Sequence, residues 1–297
     1  MNEVLDTVVV PVAGLGTRML PITKSIPKEM LPIIDKPVIQ YVVEEIESAG
    51  FKKIIFITHP DKKIIGEHFK ESKKLEEALA KSLKKSHLKT IQEISKKNLD
   101  FIYVNQTQPL GLGHAIKCAE PYLKKKPFAV VLPDRVIDTF ACNLKKDNLS
   151  KIKKIYTKTK QSILILSEVN KKDVTKYGIA KISRNRNFDD IYSLEKIVEK
   201  PSLNKAPSNL AVVGRYIFTH EIFDLIPSIN HKKVKGEIEL TDAIKKMINE
   251  HEILAIKAEG KYFDCGDKIG YLESILSFAK KNPLFSKDFK QILQNLR

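Results

Sequence analysis

Residues 8–32 read VVVPVAGLGTRMLPITKSIPKEMLP, an apolar β-branched run that enters a glycine-containing turn, with one cation inside the turn and another ten residues later. Val8, Val9, Val10 and Val12 have the near-continuous apolar character of a parallel strand covered on both faces. Gly14 and Gly16 then permit a tight turn whose exposed N–H groups can hydrogen-bond a nucleotide's base or phosphates. Arg18 and Lys28 are the pair of positive charges that a triphosphate most obviously needs. Pro21, Pro27 and Pro32 stiffen the path and so lower the entropy cost of ordering it. The segment lacks G-x-x-x-x-G-K-S/T and is no P-loop; it also lacks the G-x-G-x-x-G fingerprint of dinucleotide folds. Taken alone, its two glycines fit an ordinary strand-to-helix turn equally well.

Working outward, short apolar runs at 52–58 (KKIIFIT), 101–105 (FIYVN) and 128–132 (FAVVL) alternate with helical patterns. In DKPVIQYVVEEIESAG (35–50), Val38, Val42 and Ile46 form a stripe at helical spacing that Gly50 stops. Alternating strands and helices predict an α/β fold with a mostly parallel central sheet flanked by helices, whose ligand sits beyond the carboxyl ends of the strands. The Gly-rich turn, Gln106 and Asp134 all fall at such ends. Residues 62–98 break the rhythm with Leu75, Leu79 and Leu83 on one amphipathic stripe, read as a helical insertion packed on the parent domain or used as a subunit contact. Further strands are expected at 163–169, 178–182 and 211–218, with helices at 240–250 and 271–281. With no Gly-, Pro- or Ser-rich linker and no repeat, the 297 residues are expected to form one domain ending in a helical tail over about 268–297.

Composition narrows the class. No apolar run approaches membrane-spanning length, and MNEVLDTVVV is not built like a signal peptide, so a cytoplasmic location with no membrane partner is expected. Cys118, Cys142 and Cys265 are odd in number and lack metal spacing, which predicts reduced thiols. A formal net charge of +16 would suit nucleic acid, but only six of the 52 cations are arginine, and the lysines are spread along helical stretches among glutamates. That pattern reads as a solvated surface, and no nucleic-acid partner is expected.

Four further segments can carry chemistry. LPDR (132–135) puts Asp134 where an apolar strand meets the ligand crevice, a position suited to Mg²⁺ held between a carboxylate and phosphate oxygens, or to a simple capping Asp. KYFDCGDK (261–268) offers Asp264 as a second acid, or as the start of an Asx turn. VEKP (198–201) places Glu199 and Lys200 together at a strand end, where both reach one site only through a twist or bulge. PLGLGHA (109–115) has Gly111 and Gly113, which allow a backbone to approach a flat base, and His114, read as structural.

In order along the chain, GLGTRMLP, PKEMLP, DKPVIQYVV, GLGHA, LPD, VEKP, PSNLAVVGRY, GEIELTDA and DCGDKIGY resemble the bacterial UTP:glucose-1-phosphate uridylyltransferases, members of the sugar nucleotidyltransferase superfamily. The resemblance spans about residues 8–271. It implies a Rossmann-like nucleotidyltransferase core, the substrates UTP and glucose 1-phosphate, the cofactor Mg²⁺, and homodimers or homotetramers. It further implies that Ala13 and Gly14 contact the uracil, with Gln106 and Gly111 completing base recognition, and that Arg18 and Lys28 hold the triphosphate. Asp134 and Asp264 would bind the metal; Gly178, Glu199, Lys200 and Gly214 would surround the sugar phosphate, Lys200 joining Arg18 and Lys28 in catalysis. Two departures stand out. Arg135 follows LPD where the family has an aliphatic residue, and there a cation either weakens metal binding or adds a phosphate contact. Asp267 replaces a small neutral polar residue and either offsets Arg135 or faces solvent. Rival readings are a related pyrophosphorylase using dTTP or another sugar phosphate, and a non-catalytic sugar-nucleotide sensor.

Overall fold

The opening apolar run is a strand, β1 (Thr7–Pro11), with both faces covered. Val8, Val10 and Val12 pack into one core with Ile39, Val42 and Ile46, while Val9 points into a second core with Ile116 and Ile244. This period-two split is what a doubly covered strand requires, and each fully buried valine contributes about 1.5–3 kcal/mol of transfer free energy. The computed structural model describes residues 4–227 and 236–296.

Eight more strands join β1: β2 (Lys53–Thr58), β3 (Asp100–Asn105), β4 (Phe128–Val131), β5 (Ile163–Glu168), β6 (Gly178–Arg184), β7 (Tyr192–Glu199), β8 (Leu210–Phe218) and β9 (Leu254–Lys257). Their order across the sheet is β3-β2-β1-β4-β8-β5-β9-β7-β6, with β8 also pairing to β6. The expected parallel arrangement holds for β3-β2-β1-β4 and for β5 with β9. Elsewhere it gives way: β8 runs antiparallel to β4 and β5, and β7 to β9 and β6. The sheet is therefore mixed, because hairpin-like returns after residue 160 replace the βαβ crossovers of the first half.

The helix Val38–Ser48 buries Val38, Val42 and Ile46 as their spacing predicts, and Gly50 follows its end with φ of 73°. The insertion carries helices Lys63–His68, Lys73–Lys81 and Lys85–Ser95. Leu83 does not continue the stripe of Leu75 and Leu79. It sits exposed in the turn between the last two helices with φ of 55°, a left-handed residue through which an α-helix cannot run. The tail forms helices Lys268–Lys281 and Ser286–Asn295; its last residue, Arg297, lies outside the described residues. Asp267 caps the first of these by accepting from the N–H groups of Ile269 (3.0 Å) and Gly270 (2.9 Å), so it serves the helix and does not offset Arg135.

One buried charge ties these layers together. Arg215 on β8 is fully buried and donates through Nη2 to Glu45 Oε2 at 2.6 Å and through Nε to both Glu45 oxygens at 3.1 and 3.2 Å. Its remaining donors reach Leu132 O at 3.0 Å and Arg135 O at 2.6 Å, and its guanidinium lies 5.1 Å from the Tyr262 ring centre. Burial opposes the charge of Arg215, yet the Glu45 carboxylate holds its pKa above the ordinary arginine value. Replacing Arg215 with Ala strands a buried carboxylate and is expected to cost about 3–5 kcal/mol in a urea titration, with Glu45→Leu/Arg215→Met recovering most of that loss. A single-variant loss below about 1 kcal/mol would contradict this reading of the pair.

Candidate active site

At the carboxyl end of β1 the chain passes through Ala13 and Gly14 into a series of short 3₁₀ turns. Of the two glycines in the turn, Gly16 is the one with left-handed backbone, φ 68°, and Thr23 Oγ1 closes the loop by donating to Gly16 O at 2.9 Å. At Gly14 an added side chain would meet nothing within 4 Å, so the cleft lies open in front of it.

That cleft, about 360 Å³, is lined by Ala13, Gly14, Lys28, Gln106, Gly111 and Asp134, among others. Gln106 is buried and pairs with His114 at 2.8 Å. Gly111 borders the cleft, but its tight contact is elsewhere. With φ of 99°, a Cβ on it would lie 2.7 Å from Ile238 O, and one on Gly113 would lie 2.9 Å from the same atom. The pressure for glycine at both positions thus comes from the chain preceding helix Leu240–Glu250.

Sequence reading missed the group that holds the loop from behind. Lys62, in the short turn Pro60–Lys62 after β2, donates to Val12 O and Gly14 O at 2.6 Å each and pairs with the fully buried Glu29 Oε2 at 3.1 Å. Burial pushes the Glu29 carboxyl up and the Lys62 ammonium down, each opposed by the other's charge. An isolated lysine about 50 residues from the loop carries no local pattern that would single it out.

A second, smaller cleft of about 160 Å³ adjoins the first, and Leu112, Leu132 and Asp134 are common to both. Here Glu199 and Gly178 face each other in the β6–β7 register, and Thr241 Oγ1 donates to Glu199 Oε2 at 2.6 Å. A Cβ on Gly178 would come within 3.2 Å of that same oxygen. The twist that VEKP required is present: Lys200 has φ of 40°, its N–H donates to Tyr177 O at 3.0 Å, and its half-exposed ammonium sits 3.5 Å from Glu199 Oε1. Glu239 also lines the cleft, its pKa raised by burial and then by Glu199. Gly214, by contrast, lines neither cleft. It sits at the β5–β8 register shift with φ of 79°, and a Cβ there would fall 2.6 Å from Leu132 Cγ. It lies beneath a residue of the cleft wall.

Where the clefts meet, Asp134 and Asp264 converge. An atom placed where a Gly266 side chain would begin is 2.7 Å from Asp134 Oδ2, 3.0 Å from Asp264 Oδ1 and 2.7 Å from Arg18 Nη2. Lys28 Nζ lies 2.5 Å from Asp134 Oδ2; Arg135 Nη1 and Arg18 Nη1 lie 3.2 and 3.7 Å from Asp264 Oδ2. Burial alone would raise the Asp134 carboxyl, but Lys28, then Arg135 and Arg18, hold it down at about 2. Burial likewise opposes the Lys28 charge, and Asp134 and Glu29 overcome it. Two hard carboxylates around a gap kept clear by a glycine suit a divalent cation. Among the described residues no group of three or more His, Cys, Asp or Glu converges on one point, so such a cation would complete its shell with phosphate and water, the habit of Mg²⁺.

Residues 7–281 match the nucleotidyl transferase family model. The chain belongs to the nucleotidyl transferase family. It is 43% identical over 290 residues to a UTP–glucose-1-phosphate uridylyltransferase of Haemophilus ducreyi, covering 97% of this chain and 98% of that protein. Among solved structures it is similar to a UTP-bound UGPase from Acinetobacter baumannii, with a TM-score of 0.89, 37% identity, and coverage of 99% of this chain and 100% of the other. A UDP-glucose pyrophosphorylase complexed with UDP-glucose gives a TM-score of 0.79 at 38% identity, covering 94% and 100%. In this nucleotidyltransferase, Lys62→Met is expected to weaken nucleotide binding by about 10- to 100-fold in titration calorimetry, the range for losing charge-assisted bonds to the loop. Unaltered affinity would mean that the loop keeps its shape without Lys62.

Proposed function

We propose that this nucleotidyltransferase makes UDP-glucose and pyrophosphate from UTP and glucose 1-phosphate. The observation that carries the reading is the junction of two clefts at one pair of carboxylates, with the nucleotide loop on one side and the Glu199–Lys200 turn on the other. The names of the relatives, one bound to UTP and one to UDP-glucose, support it.

A base in the first cleft meets the backbone at Ala13 and Gly14, the Gln106 amide and the rim at Gly111, a set with both donors and acceptors for the imide edge of uracil. Arg18 and Lys28 take the triphosphate. In the second cleft, Glu199 accepts from sugar hydroxyls beside Gly178, and Lys200 neutralises the sugar phosphate. Gly214 contributes by letting Leu132 close the wall. An oxygen of the sugar phosphate, already anionic at neutral pH, attacks the α-phosphorus in line; the new P–O bond forms as the α–β bond breaks and pyrophosphate leaves. The residues need not remove a proton. Their task is to offset two polyanions and the charge spreading over the phosphorus, which Arg18, Lys28 and Lys200 do. Mg²⁺ held by Asp134 and Asp264 supplies further neutralisation of phosphate oxygens when bound.

In this reading the chain works as one domain in the cytoplasm, where its three free thiols remain reduced. It self-associates as a dimer or tetramer, supported by exposed Ile269, Leu272 and Leu276 on one helix face, with Leu284 and Ile292 beyond. No described helix is long and apolar enough to cross a membrane.

Pyrophosphate release over a grid of UTP and dTTP against glucose, galactose and N-acetylglucosamine 1-phosphates tests the assignment. UTP with glucose 1-phosphate is expected to turn over best; a large preference for dTTP, or no release from any pair, would overturn it. Asp134→Asn is expected to lower kcat by at least about 10²- to 10³-fold, by analogy with the loss of one oxyanion donor. Lys200→Ala is expected to raise KM for the sugar phosphate far more than KM for UTP.

A further inference from the structure

Arg135 is one of the two residues at which this chain departs from the sequence pattern that it resembles, and two of its guanidinium nitrogens make no hydrogen bond among the described residues. It opens the short strand Arg135–Ile137, paired antiparallel to Tyr262–Asp264 so that Arg135 lies opposite Asp264. Only 7% of it is exposed, and its guanidinium lies 4.7 Å from the ring centre of Tyr177. Its backbone is fixed because Arg215 holds its carbonyl. Yet Nε and Nη1, both buried, make no hydrogen bond among the described residues; the 3.2 Å approach of Nη1 to Asp264 Oδ2 is an ion pair only. Buried guanidinium donors left in this way are costly unless a ligand completes them.

Arg135 lines two cavities, of about 1050 and 160 Å³, and the smaller, which also holds Gly178 and Glu199, makes the ligand's chemistry readable. Four carboxylates border it: Asp134, Glu199, Glu239 and Asp264. Its other two lining cations, Arg18 and Lys176, are half exposed, as is Lys200 beside Glu199, and Lys176 is already paired with Asp173 at 2.9 Å. An anionic group can enter only where a fixed cation offsets that wall, and a guanidinium fork matches the oxygens of a tetrahedral phosphate. We propose that Arg135 binds the phosphate of the sugar phosphate directly, through the guanidinium with which it lines this cleft. This rests on the proposed function, since it assigns a role within the same site. It also resolves the alternative left open by the sequence: Arg135 adds a phosphate contact, and its pairing with Asp264 is the arrangement that the phosphate displaces or shares.

The test is calorimetric binding of glucose 1-phosphate to wild type, Arg135→Leu and Arg135→Lys, with Mg²⁺ and a non-reacting UTP analogue, together with binding of that analogue and of Mn²⁺ to each protein. The Leu variant is expected to bind glucose 1-phosphate about 10- to 100-fold more weakly, the size of a lost charge-assisted contact, with the Lys variant in between and analogue binding within about twofold throughout. Unchanged sugar-phosphate affinity with tighter Mn²⁺ binding would make Arg135 merely the counter-ion of Asp264 and overturn the proposal. Equal loss of analogue and sugar-phosphate binding in both variants would make its role structural and overturn it too. If wild type itself binds the UTP analogue but no glucose 1-phosphate, the functional reading falls, and this assignment with it.

Discussion

The buried pair of Arg215 and Glu45 is the constraint on which the geometry of the site depends. Glu45 comes from the helix Val38–Ser48, Arg215 from the long strand β8, and the remaining donors of Arg215 seize the carbonyls of Leu132 and Arg135, which bracket Asp134. The Tyr262 ring lies against the same guanidinium two residues before Asp264, and its hydroxyl donates to Glu45 at 3.5 Å. One charge thereby fixes the backbone on both sides of Asp134 and packs against the ring two residues before Asp264. Burying such a pair does not by itself add much stability, but breaking it is expensive, and that is what makes it a good reference point for placing other groups.

From that reference point the site is organised by charge compensation. Asp134 is matched by Lys28, Asp264 by Arg18 and Arg135, and Glu29 by Lys62, and these pairs run from the second cleft to the back of the Gly-rich loop. Each cation is held near a carboxylate before any phosphate arrives, so little reorganisation is needed when it does. Most of these pairs are shielded from solvent, where screening by salt is weak and removing one member leaves its partner exposed to the full cost of burial. Nucleotidyl transfer between two anions fits this arrangement because its difficulty is electrostatic.

Much of this was legible in the sequence where the signal is local. The alternation of Val8 to Val12, the helical spacing of Val38, Val42 and Ile46, the stop at Gly50 and the acids ending apolar runs each report on their own neighbourhood, and each lies where those patterns put it. What stayed hidden depends on partners distant along the chain. Glu45 and Arg215 are 170 residues apart, and Lys62 reaches the carbonyl of a glycine 48 residues away. Gly111 and Gly113 announce a close approach but not what approaches, which proved to be Ile238. Gly214 likewise signals a bulge without naming Leu132. The antiparallel half of the sheet was missed because short apolar runs do not encode strand direction, and Leu83 because a four-residue spacing continues across a turn as easily as along a helix.

The central claim is that a sugar phosphate in the second cleft attacks the nucleotide in the first directly, with no covalent enzyme intermediate. The most direct measurement is the configuration at phosphorus of the product made from a single diastereomer of UTP carrying sulfur on its α-phosphate, read by phosphorus NMR. One in-line displacement predicts inversion. Retention, the signature of two successive displacements, would contradict the account.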